Sequence, residues 1–219
     1  MNINNIFKLM HETLDTIRSN KQTTLNKIHD ISNSDPFNIL ITTVLSARSK
    51  DKNTLKVAKK LFSMYKTPKT LANADISTIE KLIKSIGFYH LKSKRIIEIS
   101  RIIHEEYNDE VPSSIEKLIR LPGVGRKTAN CVLVYAFNKS AIPVDTHVHR
   151  ISNRLGLLET KNAEKTELEL MNIIPKKNWN KINEMFVIYG QNVCLPISPL
   201  CDRCKLQRLC KYNGIKNAS

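Results

Sequence analysis

Three groups of residues in this chain could carry chemistry. The first is Lys127, just after the glycine-rich turn Leu121-Pro122-Gly123-Val124-Gly125. A lysine amine that has lost its proton is a nucleophile and can form a Schiff base. The second is Asp145, eighteen residues further on, in the run Val144-Asp145-Thr146-His147-Val148-His149-Arg150. A carboxylate there could stabilise a developing cation and assist proton transfer. The third is Cys194, Cys201, Cys204 and Cys210, spaced C-x6-C-x2-C-x5-C, so that four of the five cysteines fall within 17 residues. Thiolates this close can hold a tetrahedral Zn²⁺ or a 4Fe–4S cluster, and spacing alone does not choose between them.

Each group alone has an ordinary explanation. A glycine-rich hairpin is often only a turn, a lone lysine is commonly solvated, and an aspartate ahead of a helix is more often its N-cap. Their conjunction points to function. Pro122 fixes its own φ, and the two glycines tolerate positive φ and leave the backbone bare. Bare N–H groups beside a helix N-terminus bind phosphate, which makes Gly123, Val124, Gly125 and Arg126 candidate contacts. The same helix end disfavours the Lys127 ammonium by only about 0.3–1 kcal/mol, less than one pKa unit. Burial or a nearby cation such as Arg126 must do more to free the amine.

The elements that must position these groups are helical. Ser113-Ser114-Ile115-Glu116 reads as a capping box opening a short helix, with Ile115, Leu118 and Ile119 inside. After the turn, Ala129, Val132, Leu133, Ala136 and Phe137 mark one face of a second helix. Cys131 on that helix reads as a buried small residue. The unit is helix, hairpin, helix. It has an echo: residues 80–87 and 116–123, 36 apart, share five of eight identities. A second copy offers a second hairpin with Phe88 at its tip, where an exposed apolar side chain could wedge between base steps.

Elsewhere the pattern predicts an amphipathic helix over 1–28, with Arg18, Lys21 and Lys27 in or after its last turns. A buried helix opens at Pro36, and further helices span 51–65, 76–86 behind an Asp75 cap, and 91–107. More follow from near Thr146, past Arg150, to about Leu158, then over 162–174 and 178–193. Only six glycines and eight prolines interrupt the chain, and no period-2 alternation is sustained, so an all-α fold is expected.

Among 219 residues, 35 Lys and Arg stand against 20 Asp and Glu, a formal net charge of +15. A chain this basic meets a polyanion, nucleic acid by default. No run approaches the ~18 apolar residues of a membrane span, and the N-terminus lacks the apolar core of a secretory signal. An intracellular protein, cytoplasmic or nucleoid-associated, is expected, and there disulfides explain the cysteines poorly. Closing the cysteine loops on a metal would also fix Arg203, Lys205 and Arg208 as a basic surface suited to phosphate.

LPGVGRKTAN at 121–130, VDTHVHR at 144–150 and the cysteine array, in that order, resemble the signatures of the endonuclease III family of DNA glycosylases. GFYHLKSKRI at 87–96 and LSARSKD at 45–51 resemble two further family segments. The resemblance implies a two-lobed all-α fold: a six-helix bundle over 29–139, and a lobe of 1–28 with 140–219 bearing a 4Fe–4S cluster, with DNA between them. It implies excision of oxidised pyrimidines from duplex DNA, then cleavage at the abasic site, by a monomer. By motif position, Lys127 is the nucleophile, Asp145 its partner, and the four cysteines the cluster ligands. Arg48 stands where many members carry a Gln that fills the gap left by a flipped base. Phe88 stands where some relatives carry a Leu wedge.

Two other readings compete. A monofunctional mismatch glycosylase usually lacks the lysine, and the adenine-specific relatives use a Glu on the early helix, where 37–47 here holds no acid. A non-catalytic helix–hairpin–helix binding module would keep the glycines and cysteines but would need neither Lys127 nor Asp145.

Overall fold

The computed structural model describes residues 2–17, 35–47, 49 and 51–212. Among these residues all regular structure is helical, as the sparse glycine and proline require. No helix among them is long and apolar enough to cross a membrane. The chain divides into two compact units, Met1–Thr23 with Ser140–Ser219, and Thr24–Lys139.

The unit ending at Lys139 holds α2 (Pro36–Ser46), α3 (Asp51–Met64), α4 (Pro68–Ala72), α5 (Ile76–Ile83), α6 (Tyr89–Tyr107), α7 (Ile115–Leu118) and α8 (Arg126–Phe137). Asp35 caps α2 by accepting from Asn38 N at 2.8 Å, and Pro36 supplies the first turn's fixed φ. From Phe37 to Leu45, every α2 residue but Asn38 is buried, as its unbroken apolar run demands. α2 packs against α8, with Ile39 and Cys131 at the centre of the contact. α4 and α5 pack on α6.

The other unit holds α1 (Ile3–Thr16), α9 (Thr146–Leu155), α10 (Ala163–Ile173) and α11 (Trp179–Asn192). Ile6 and Met10 of α1, Val148 and Ile151 of α9, and Ile182 and Phe186 of α11 meet in one core. Side chains buried this fully are worth roughly 1.5–3 kcal/mol each over leaving them exposed.

Four sequence expectations need adjustment. The N-terminal helix ends at Thr16, and Arg18, Lys21 and Lys27 lie outside the described residues. The cap of α7 is Ser114, accepting from Lys117 N, not Ser113, whose hydroxyl receives the Lys139 ammonium at 2.9 Å. The helix expected from near Thr146 to about Leu158 does start at Thr146, but it ends at Leu155 and is stopped by Gly156, held at φ +71°. The short α4, opened by a Thr67 and Thr70 capping box, went unread.

Candidate active site and metal centre

The hairpin between α7 and α8 is pinned from inside. Leu121 and Val124 are buried at 2% and 4% exposure, while Gly123 and Gly125 stay exposed. Val124 can therefore offer only backbone to a ligand. The two glycines serve different ends. Gly123 sits at φ +76°, where a side chain would be strained. Gly125 has an ordinary φ of −88°, and a Cβ built there meets nothing within 4 Å. Neither backbone nor packing asks for a glycine at 125. Gly125 caps α8 without a side chain, and Arg126 and Lys127 follow in the first turn, both half-buried.

Asp145 is the N-cap of α9. Its Oδ1 accepts from His147 N and Val148 N, both at 2.9 Å, which fixes the plane of the carboxylate. Oδ2 receives no hydrogen bond from the described residues. The cap thus occupies one oxygen of the carboxylate only. Behind Asp145, Arg150 donates to Gly190 O at 3.1 Å and Cys194 O at 2.8 Å, closing the end of α11. Its Nη2 also lies 3.0 Å from His147 Nδ1. An arginine only donates, so Nδ1 must accept. Burial, ahead of any charge, pushes the His147 pKa down and keeps that acceptor neutral. Gly190 makes room for this contact, since a Cβ there would stand 2.4 Å from Nδ1.

Cys194, Cys201, Cys204 and Cys210 line one cavity, walled mainly by apolar residues such as Ile151, Leu155, Val193 and Leu206. Among the described residues, no three His, Cys, Asp or Glu side chains are grouped to hold a single metal ion. Burial pushes the Cys204 thiol up and the Cys210 thiol up to about 11, so a bound cation would have to ionise them. Donors already face the sulfurs: Tyr189 Oη lies 2.9 Å from Cys204 Sγ, and Arg154 Nη1 3.4 Å from Cys194 Sγ. Arg154 also donates to Leu195 O at 2.6 Å and lies 4.2 Å from the centre of the Tyr212 ring. A thiolate-rich centre with N–H and O–H donors fits these residues.

The remaining candidates fare unevenly. Phe88 is 62% exposed at the start of α6, in the left-handed region at φ +59°. Arg48 lies outside the described residues. Arg203, Lys205 and Arg208 are exposed, but Lys205 pairs with Glu12 at 2.9 Å and Arg203 faces its neighbour Asp202 at 3.9 Å. Lys127 belongs to the unit ending at Lys139, and Asp145 with the cysteines to the other. The sequence reading missed Lys92, whose buried ammonium donates to Leu45 O at 2.9 Å, Ala47 O at 2.6 Å and Ser49 Oγ at 2.9 Å. It also missed Arg150, Arg154 and Tyr189 as supports of the cysteine loop. Only the i, i+4 pairing of the two arginines on one helix hinted at them.

A family model described as HhH-GPD superfamily base excision DNA repair protein matches residues 41–176. The chain is 51% identical over 179 residues to endonuclease III of Thermotoga maritima, covering 82% of this chain and 84% of that protein. It is 36% identical over 183 residues to endonuclease III of Escherichia coli K12, covering 84% and 87%. Among solved structures, a trapped endonuclease III–DNA covalent intermediate with an estranged adenine aligns at TM-score 0.84 and 35% identity over 99% of each chain. A thermostable thymine-DNA glycosylase aligns at TM-score 0.79 and 26% identity, over 97% of this chain and 96% of that one.

Proposed function

The chain belongs to the endonuclease III family of the HhH-GPD superfamily, and from that premise we propose how its residues share the work. It is a base excision repair enzyme, a DNA glycosylase with AP lyase activity on damaged duplex DNA. The hairpin Gly123–Arg126 takes the phosphate backbone on exposed N–H groups, and Phe88 wedges into the base stack. The damaged base, an oxidised pyrimidine, leaves the stack so that C1′ can be reached. Lys127 Nζ attacks C1′ as the base departs, and Asp145 Oδ2 stabilises the developing sugar cation and helps move the amine proton. The resulting Schiff base acidifies the C2′ proton, whose removal expels the 3′-phosphate by β-elimination. The observation that carries this reading is Lys127 in the first turn of the helix after an exposed glycine hairpin.

Cys194, Cys201, Cys204 and Cys210 would hold a 4Fe–4S cluster as thiolates. The cluster would fix the loop that carries the basic residues, and the chemistry at C1′ does not pass through it. Residues 29–139 as hairpin lobe, 1–28 with 140–219 as cluster lobe, and action as a monomer complete the proposal. Borohydride trapping tests it. The protein is incubated with duplexes bearing thymine glycol or an abasic site and then reduced. A covalent adduct that vanishes in Lys127→Ala is expected. An adduct that persists in that variant would remove Lys127 from its role.

A further inference from the structure

Among the cations of α6, Lys92 and Arg95 stand one turn apart, and their surroundings differ. Lys92 spends its three N–H bonds inside the protein, on Leu45 O, Ala47 O and Ser49 Oγ. It has nothing left for a ligand. Arg95 has no hydrogen-bonded or ion-paired acceptor among the described residues, and the Lys92 ammonium beside it is a like charge. Its side chain lies across the glycine hairpin: a Cβ on Gly123 would stand 2.6 Å from Arg95 Cδ and 2.8 Å from Nε. Arg95 also borders a cavity of about 370 Å³ shared with Ala47, Phe88 and Leu91. Phe88 and Leu91 are 62% and 47% exposed there.

A part-exposed guanidinium beside another cation, with no carboxylate paired to it, is open to an anion from outside. The hairpin under it is the surface assigned above to the phosphate backbone. Gly123 answers its own left-handed φ, and its bare Cα lets the Arg95 side chain lie against the hairpin. We propose that Arg95 is a DNA phosphate contact, laid between the Gly123 hairpin and the Phe88 hairpin so that one phosphate is gripped by both. Arginine suits the task because its planar fork can present two N–H groups to one phosphate. The proposal rests on the DNA-binding reading of the hairpin and adds a residue to it.

Salt dependence of binding reads it directly. The full-length protein is titrated with a duplex bearing a tetrahydrofuran abasic analogue, which cannot be cleaved, over a range of salt concentrations. Loss of one phosphate contact should lower the slope of log K against log salt by about one unit in Arg95→Gln. Arg95→Lys, which keeps a charge, should recover most of that slope. Thermal unfolding of each variant verifies that the hairpin is intact. An Arg95→Gln slope equal to wild type overturns the proposal, whether affinity is unchanged or falls equally at every salt concentration, since the arginine is then only packing. A wild-type slope near zero would instead sink the DNA-binding reading, and that outcome needs no variant to see.

Discussion

In the proposed mechanism Asp145 gives one oxygen to structure and the other to reaction, so two substitutions there should part company. Asn keeps an oxygen for the cap and is as good an N-cap as Asp. Asp145→Asn is therefore expected to melt close to wild type while losing about 10²–10⁴ of the base-excision rate. Asp145→Ala should lose the same activity and also about 1 kcal/mol of stability with the cap. Single-turnover excision beside thermal unfolding separates the cases. An Asn variant that excises at the wild-type rate would leave Asp145 as a cap alone. Phe88 at φ +59° and Gly125 with open space above it are further positions where local preference is set aside at the proposed contact surface.

Among the elements, Lys92 ties α6 to the end of α2 and titrates in an accessible range. Burial, with help from the Arg95 charge, brings its pKa down to about 8. An unfolded lysine stays near ~10.4. Below pH 8 both states are charged, and the native state bears the cost of the buried ammonium. Between those values the native state gives up its proton first, so the unfolded chain binds more protons and stability rises with pH. The stability of wild type relative to Lys92→Met should therefore increase from pH 7 to pH 10 in denaturant melts. Parallel curves would contradict it.

Local signals made much of this architecture legible. The Pro36 start, the Asp75 cap, the buried α2 run and the hairpin itself are each written within a few neighbouring residues. The errors came where neighbours compete, as between Ser113 and Ser114 for one cap. The contacts of Lys92 with Ala47, of Arg95 with Gly123 and of Tyr189 with Cys204 join residues 45, 28 and 15 apart. No periodicity encodes such meetings.

On the scale of the molecule, the four thiols face one cavity close to the core formed by α1, α9 and α11. The N-terminal helix takes part directly: Thr13 Oγ1 accepts from Lys205 N at 3.2 Å. Purified protein should carry iron and sulfide and absorb broadly near ~400 nm, as thiolate-bound clusters do. Cys201→Ser should weaken that absorbance, and its unfolding should lose cooperativity, with the cluster-bearing unit melting first. A colourless protein loaded stoichiometrically with zinc would remove the iron–sulfur assignment.

The two hairpins resemble each other in sequence, yet they place their left-handed residue differently. One puts it on Gly123, and the other passes over Gly87 to put it on Phe88. The other left-handed residues in the described chain are Gly, Asn, Asp or Ser. A bulky side chain held there gives up roughly 1–2 kcal/mol. In the proposed reading that strain goes into presenting an exposed ring, while the matching hairpin keeps a bare surface for a backbone.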